Sequence, residues 1–241
     1  MKNLIEIKNI EKIYEDNPGA PATRVLNSIT LSIKQGEFLA IMGPSGSGKS
    51  TFLHILGLLD RQSSGTYVFK EKKTEDYSDD ELAKIRNENI GFIFQSFNLL
   101  PRVSVLENVI LPLTYSTVPE ARWKKMATEA IEAVDLSHRA GHEPSELSGG
   151  EKQRVAIARA IVTDPDVIFA DEPTGNLDSK SGERVMEIIQ SLHERGKTII
   201  LITHETYTSE YAERIIRLFD GTVESDTVVV NRRKKGEGFK K

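Results

Sequence analysis

Gly43-Pro44-Ser45-Gly46-Ser47-Gly48-Lys49-Ser50-Thr51 sets three glycines, a lysine and a run of hydroxyls in one short stretch. The spacing is G-x-x-x-x-G-K-[ST], and its chemistry is the holding of phosphates. Gly43, Gly46 and Gly48 let the backbone take turn conformations closed to other residues and aim its amides inward. Those amides form a concave nest for phosphate oxygens. Lys49 brings a mobile charge to the β- and γ-phosphates, and Ser50 offers a hydroxyl to Mg²⁺. The motif needs a strand before it and a helix after it. Phe38-Leu39-Ala40-Ile41-Met42 reads as a short buried strand and Phe52-Leu53-His54-Ile55-Leu56 as a helix start. Bound phosphates would therefore also meet a helix N-terminus, where the dipole favours negative charge.

Other chemically capable residues lie at strand ends. Asp166-Val167-Ile168-Phe169-Ala170-Asp171-Glu172 is an apolar strand closing on two carboxylates. Asp171 is placed to hold the Mg²⁺ shell through water and Glu172 to polarise an attacking water. Asn89-Ile90-Gly91-Phe92-Ile93-Phe94-Gln95 ends in a glutamine that can ligate Mg²⁺ or orient water, and equally can be an ordinary polar strand end. Lys197-Thr198-Ile199-Ile200-Leu201-Ile202-Thr203-His204 ends in a histidine able to donate to a γ-phosphate or to water. Tyr14 precedes a turn-rich loop and can stack on a nucleobase or pack as a half-buried strand tyrosine. In Leu147-Ser148-Gly149-Gly150-Glu151-Lys152-Gln153, Ser148 and Glu151 have capping-box spacing. The same helix start would present a hydroxyl and free amides to an anion. A second anion site in one small domain suggests service to a nucleotide held by another copy.

These residues hang on alternating elements. Strands over 4–35 are interrupted by the loop 15–21, and a strand at 66–69 precedes a polar stretch, 71–80, read as loop. A short helix at 80–87 follows, then helices from 96 to about 162, a strand into Asp171, a helix over 181–194, the His204 strand and a strand pair around Asp220-Gly221. Phe97-Asn98-Leu99-Leu100-Pro101 is an apolar surface loop that suits lobe packing or a partner helix equally. The tail from Asn231 to Lys241 is basic and reads as a solvated, disordered end, with attraction to anionic lipid headgroups as the alternative.

The 241 residues suffice for one large domain, and 38% hydrophobic with 28% charged residues is the balance of a soluble globular chain. No apolar run approaches the roughly 18–20 residues that span a bilayer, and the start of the chain lacks a signal-peptide core, so a cytoplasmic location is the expectation. Without cysteine there are no disulfides, no thiolate catalysis and no cysteine-ligated metal. A net charge of −4 argues against nucleic-acid binding by bulk positive charge.

In combination and order, the loop 43–51, Gln95, the Leu147–Gln153 signature, Asp171-Glu172, Asp178 and His204 resemble the ATP-binding cassette family over about residues 4–224. The phrases Ile41–Thr51, Ile90–Pro101 and Glu107-Asn108-Val109 bring the chain nearest to the macrolide-export and lipoprotein-release ATPases. The resemblance implies an α/β fold. It would have a P-loop NTPase core with a mixed sheet (1–95 and 163–230), an N-terminal antiparallel β subdomain and an inserted helical subdomain at about 96–162, followed by a disordered tail, 231–241. It also implies Tyr14 on adenine, Gly43 to Thr51 on the phosphates of ATP, Ser50 and Gln95 on Mg²⁺, Asp171 in the magnesium shell, Glu172 as the catalytic carboxylate and His204 on the γ-phosphate. Ser148, Gly149 and Gly150 would close on the ATP of the opposite subunit of a head-to-tail dimer, with Asp178 coupling the two sites. The implied partner is a separate membrane permease rather than nucleic acid, with the chain peripheral to the membrane. A cassette acting on DNA or ribosomes is the competing reading. Two departures stand out: Glu151-Lys152 where Gln-Gln is common, and Glu205 after His204 where aspartate is usual.

Overall fold

The computed structural model describes residues 2–14 and 22–233. The loop at 15–21 and the tail beyond 233 lie outside the described residues. The chain divides into two compact units, one of Met1–Leu82 with Ile200–Arg233 and the other built from Ala83–Ile199.

The first unit opens with two long strands, β1 (Asn3–Tyr14) and β2 (Thr23–Lys34), paired antiparallel. Leu4, Ile5, Ile7 and Ile10 of β1 are buried. A register shift between Ile7 and Ile10 accompanies positive φ at Asn9 and Ser28, a bulge that increases the local twist. The all-apolar β3 (Phe38–Met42) is buried at every residue and leads through the glycine loop into α1 (Lys49–Leu56). The strands β4 (Ser64–Phe69) and β5 (Lys72–Lys73) join β1 and β2 in a sheet of order β2-β1-β4-β5. β5 and a 3₁₀ turn at Thr74–Asp76 occupy much of the polar stretch expected to be loop. Two charged lysines pairing with β4 carry no apolar periodicity, so sequence pattern gives such an edge strand no signal. β9 (Arg214–Phe219) runs parallel to β3 and antiparallel to β10 (Thr222–Val228), which it meets through the hairpin at Asp220-Gly221.

The second unit begins within α2 (Asp79–Asn89) and contains β6 (Ile90–Ile93), parallel to β7 (Val167–Asp171). Its helices are α3 (Val105–Ile110), α4 (Glu120–Glu132), α5 (Gly149–Ile161) and α6 (Ser179–Glu194). Ser104 and Ser148 form complete capping boxes with Glu107 and Glu151, and Asp178 caps α6. These caps explain where the three helices begin. The helical block expected at 96–162 thus contributes α3, α4 and α5 to a larger unit that also holds β6, β7 and α6. α5 buries Val155, Ala156, Ile157 and Ala158. A Cβ at Gly91 would stand 2.4 Å from the Ala160 carbonyl oxygen, so the approach of β6 to α5 requires glycine there.

Strand β8 (Thr198–Ile202) is buried throughout and is followed by the short helix α7 (Thr206–Ser209). Parallel pairs beside the antiparallel β9–β10 hairpin make the strand architecture mixed, as expected. The start of the supposed solvated tail is anchored instead. Arg232 donates to the Tyr211 carbonyl and to Glu213, while Arg233 pairs with Glu210 and lies 3.5 Å over the Tyr207 ring. No helix among the described residues is long and apolar enough to cross a membrane.

Candidate functional site

The glycine loop is held from outside by distant backbone. A Cβ on Gly43 would stand 2.3 Å from the Leu218 carbonyl oxygen, and one on Gly48 would stand 2.8 Å from Leu26 Cδ2 and 2.9 Å from the Val25 carbonyl oxygen. Gly46 has nothing within 4 Å of such an atom; its φ of +79° is what demands glycine. The Gly221 amide donates to the Ser47 carbonyl, tying the loop to the β9–β10 hairpin. Lys49 Nζ folds back to donate to the carbonyl oxygens of Gly43 (2.8 Å) and Pro44 (2.7 Å), which holds the ammonium across the concave side. Helix α1 starts at Gly48 with no side-chain cap and no acidic residue in its first turn. Helices α3, α5 and α6 are each capped by a side chain, and α1 leaves its first amides for another acceptor. Glycine cradle, uncapped amides and lysine fit the phosphates of a nucleotide.

Two more predicted residues sit in the same unit. The Tyr14 hydroxyl donates to Asp60 Oδ2 at 2.9 Å, Lys12 Nζ stands 4.8 Å from its ring centroid, and a hydrogen bond joins it to Thr51 of the loop. Burial and the bond to Asp60 raise the Tyr14 hydroxyl above the usual phenol range. The ring therefore belongs to the edge of the phosphate loop, fixed by partners 37 and 46 residues away that sequence spacing did not mark. His204 follows β8, where the Thr203 amide donates to the Ile41 carbonyl, so the histidine emerges beside the end of β3 that enters the loop. Its side chain is exposed. Glu205, the departure from the usual aspartate, accepts from Thr208 Oγ1 at 2.8 Å and stabilises the start of α7.

The second unit gathers the remaining residues. Gln95 lies in the turn after β6. Its carbonyl accepts from Asn176 Nδ2, and a Cβ on Gly175 would stand 2.6 Å from its Nε2. Phe97 and Asn98 both take positive φ, and Arg159 of α5 clamps the turn by donating to their carbonyls at 2.9 and 2.5 Å. Asp171 closes β7, and Glu172 takes a φ of +44°. A non-glycine residue there costs about 1–2 kcal/mol, strain of the kind concentrated at functional sites. The Gly175 amide donates to the Glu172 carbonyl, closing the turn that sets the carboxylate's direction. No cluster of three histidine, acidic or cysteine ligands is found among the described residues.

The signature occupies the start of α5. Ser148 Oγ accepts from the Glu151 amide, and with an ionised carboxylate 2.8 Å away it must donate its own proton to Glu151 Oε2. The serine is thus the cap that its spacing suggested, with its proton committed to Glu151. The bonds from the Ser148 amide and hydroxyl, with help from Arg139, hold the Glu151 carboxyl down to about 2. Gly150 is required sterically, since a Cβ there would meet Ser181 Oγ at 2.6 Å. Gln153 is buried and donates to the Pro173 carbonyl, which links the signature helix to the residue after Glu172. Asp178 caps α6 by accepting from the Ser181 amide and hydroxyl, and these bonds lower its carboxyl. Arg139, Arg159 and Asn176 were missed because each acts through a contact at long sequence separation.

A buried strand, a glycine cradle and an uncapped helix carrying Lys49 define a P-loop nucleoside triphosphatase. The signature at the head of α5 narrows the class, and the comparisons complete it. The ABC transporter family pattern matches residues 26–175, and the chain belongs to that family. It is 51% identical over 92% of its length to the macrolide export ATP-binding/permease protein MacB of Chlorobaculum tepidum, but spans only 34% of that relative. It is 47% identical to MJ0796, an uncharacterized ABC transporter ATP-binding protein of Methanocaldococcus jannaschii, over 92% of this chain and 96% of that one. The dimeric structure of the MJ0796 cassette superposes with a TM-score of 0.85 at 46% identity, covering 93% of this chain and 98% of that one. A second MJ0796 dimer, in a post-hydrolysis state bound to ADP and Pi, gives a TM-score of 0.85 at 45% identity over the same shares. The chain is an ATP-binding ABC ATPase with the α/β fold expected of one, and the competing reading on DNA or ribosomes finds no support among these relatives.

Proposed function

We propose that this chain is the engine of a transporter: two copies close head to tail around two ATP molecules, and closure drives a separate membrane permease. The observation that carries the reading is the uncapped N-terminus of α1 behind the glycine cradle, with Lys49 held across it. In this reading Gly43, Ser45, Gly46, Ser47, Gly48, Lys49, Ser50 and Thr51 hold the phosphates, and Tyr14 stacks on adenine. Ser50, Gln95 and Asp171 serve Mg²⁺, which would neutralise charge on the β- and γ-phosphates. Glu172 accepts a proton from the attacking water, and His204 donates to the γ-phosphate. Ser148, Gly149 and Gly150 meet the nucleotide of the other copy, and Asp178 couples the two sites. The MacB name and the dimeric cassettes support a permease partner and dimerisation. The MacB name also supports export; in this reading the work is export or extraction from the membrane, with the chain on its cytoplasmic face. A single nucleotide-binding domain over 1–230 suits this role.

The test is Glu172→Gln, which keeps the shape of the side chain and removes the base. It is expected to bind ATP, lose turnover, and shift from monomer to dimer with ATP in light scattering. Turnover at the unsubstituted rate would refute the assignment of Glu172.

A further inference from the structure

The start of α5 poses an electrostatic problem. Glu151 Oε2 lies 2.8 Å from Ser148 Oγ and 2.9 Å from the Ser148 amide nitrogen, so a carboxylate shares the polar groups proposed to receive a phosphate. That carboxylate is ionised at every working pH, its pKa lying at about 2. Two anions competing for one helix N-terminus repel each other, and such like-charge juxtaposition is costly unless a cation offsets it.

One cation is built into the site. Arg139 Nε donates to Glu151 Oε1 at 2.9 Å, leaving Oε2 to Ser148. The guanidinium is oriented by a second contact, Arg139 Nη1 to His142 Nε2 at 3.2 Å. The short turn around Arg139 is closed by the His142 amide donating to the Arg139 carbonyl, and the His142 carbonyl accepts from the Val105 amide at the start of α3. The Arg139 side chain is 33% exposed and that of Glu151 15%, so the pair sits at the surface where a ligand of Ser148 would arrive. Arg154, farther along α5, also feels the Glu151 charge, but no hydrogen bond joins it to that carboxylate among those described.

We propose that Arg139 is a positioning residue of the signature: it neutralises Glu151 and holds it as the cap of Ser148, so that the phosphate of a nucleotide can approach the head of α5. The inference rests on the reading that Ser148 meets the other copy's ATP. It assigns Arg139 no contact with nucleotide. The charge of Glu151, beside the polar groups proposed to receive a phosphate, is what the arginine offsets.

The full-length chain carrying Glu172→Gln serves for ATP-dependent dimerisation, followed by light scattering. Adding Arg139→Ala is expected to raise the ATP concentration at half-dimerisation about tenfold, the scale of losing one partner of a close charge pair. Arg139→Lys should restore most of it. ATP affinity of the monomer, read by titration below the dimerisation range, should not change, because the loop 43–51 is untouched. With Glu151→Gln also present, Arg139→Ala should change the half-dimerisation point less than about twofold, since no charge remains to offset. An equal loss in both backgrounds would make Arg139 a mere structural brace and overturn the proposal, as would no loss with Glu151 in place. Ser148→Arg separates the underlying reading. If it abolishes dimerisation while Arg139→Ala does nothing, only the role of Arg139 falls. If it leaves dimerisation intact, the composite site falls and the proposal with it.

Discussion

Two glycines of one loop should differ in cost, and the difference can be worked from the structure. At Gly48, φ is +94° and an added Cβ would stand 2.8 Å from Leu26 Cδ2 and 2.9 Å from the Val25 carbonyl oxygen. At Gly46, φ is +79° and nothing lies within 4 Å. Alanine at either position pays about 1–2 kcal/mol for the left-handed conformation. At Gly48 it also pays for overpacking, about 1–3 kcal/mol, because the Val25 carbonyl is backbone and cannot swing away. Gly46→Ala should therefore destabilise by about 1–2 kcal/mol and Gly48→Ala by about 2–5 kcal/mol. At roughly 2–4 °C per kcal/mol for a chain of this size, the second should melt several degrees below the first. The assay is urea and thermal unfolding of the nucleotide-free chain by circular dichroism, with ATP titration in parallel. ATP affinity should fall for both, because both distort the amide nest. Equal stability losses would refute the claim that β2 backs the loop at Gly48.

Removing the ammonium with Lys49→Ala is expected to weaken ATP binding by at least about tenfold, the scale of a charge-assisted hydrogen bond, and an unchanged dissociation constant in calorimetry would remove Lys49 from the site. Acid should expose the Glu151 cap. The carboxyl is lowered from its ordinary 4.5 to about 2, so its stabilisation is present above the unfolded value and is lost as pH falls through the folded one. Because the group is near solvent, the loss is discounted to about 1 kcal/mol. Unfolding midpoints at pH 6 and pH 3 should therefore fall more for the parent chain than for Glu151→Gln, and parallel profiles would deny the cap its charge.

Much of the site was legible because its motifs are local. A strand, a glycine loop and a helix in immediate succession can be read from Phe38 to Leu56, since each element is set by its own neighbours. The capping box at Ser148 is legible for the same reason: donor and acceptor are three residues apart. The β5 edge, the arginine anchors at 232 and 233 and the committed proton of Ser148 were not legible. Charged residues follow no hydrophobic period, and a capping pattern does not say which atom keeps the proton.

The sequence by itself determined the chemistry: which side chains carry charge, which positions permit a left-handed backbone, and which strand ends bear carboxylate, amide or imidazole. Only the tertiary structure decided what surrounds them. The Leu218 carbonyl closes on Gly43, Val25 backs Gly48, Thr51 meets Tyr14, and Arg139 finds Glu151. Local spacing is written in the backbone's own geometry, whereas these contacts join residues a dozen to nearly two hundred positions apart and exist only once apolar burial has packed the strands and helices together.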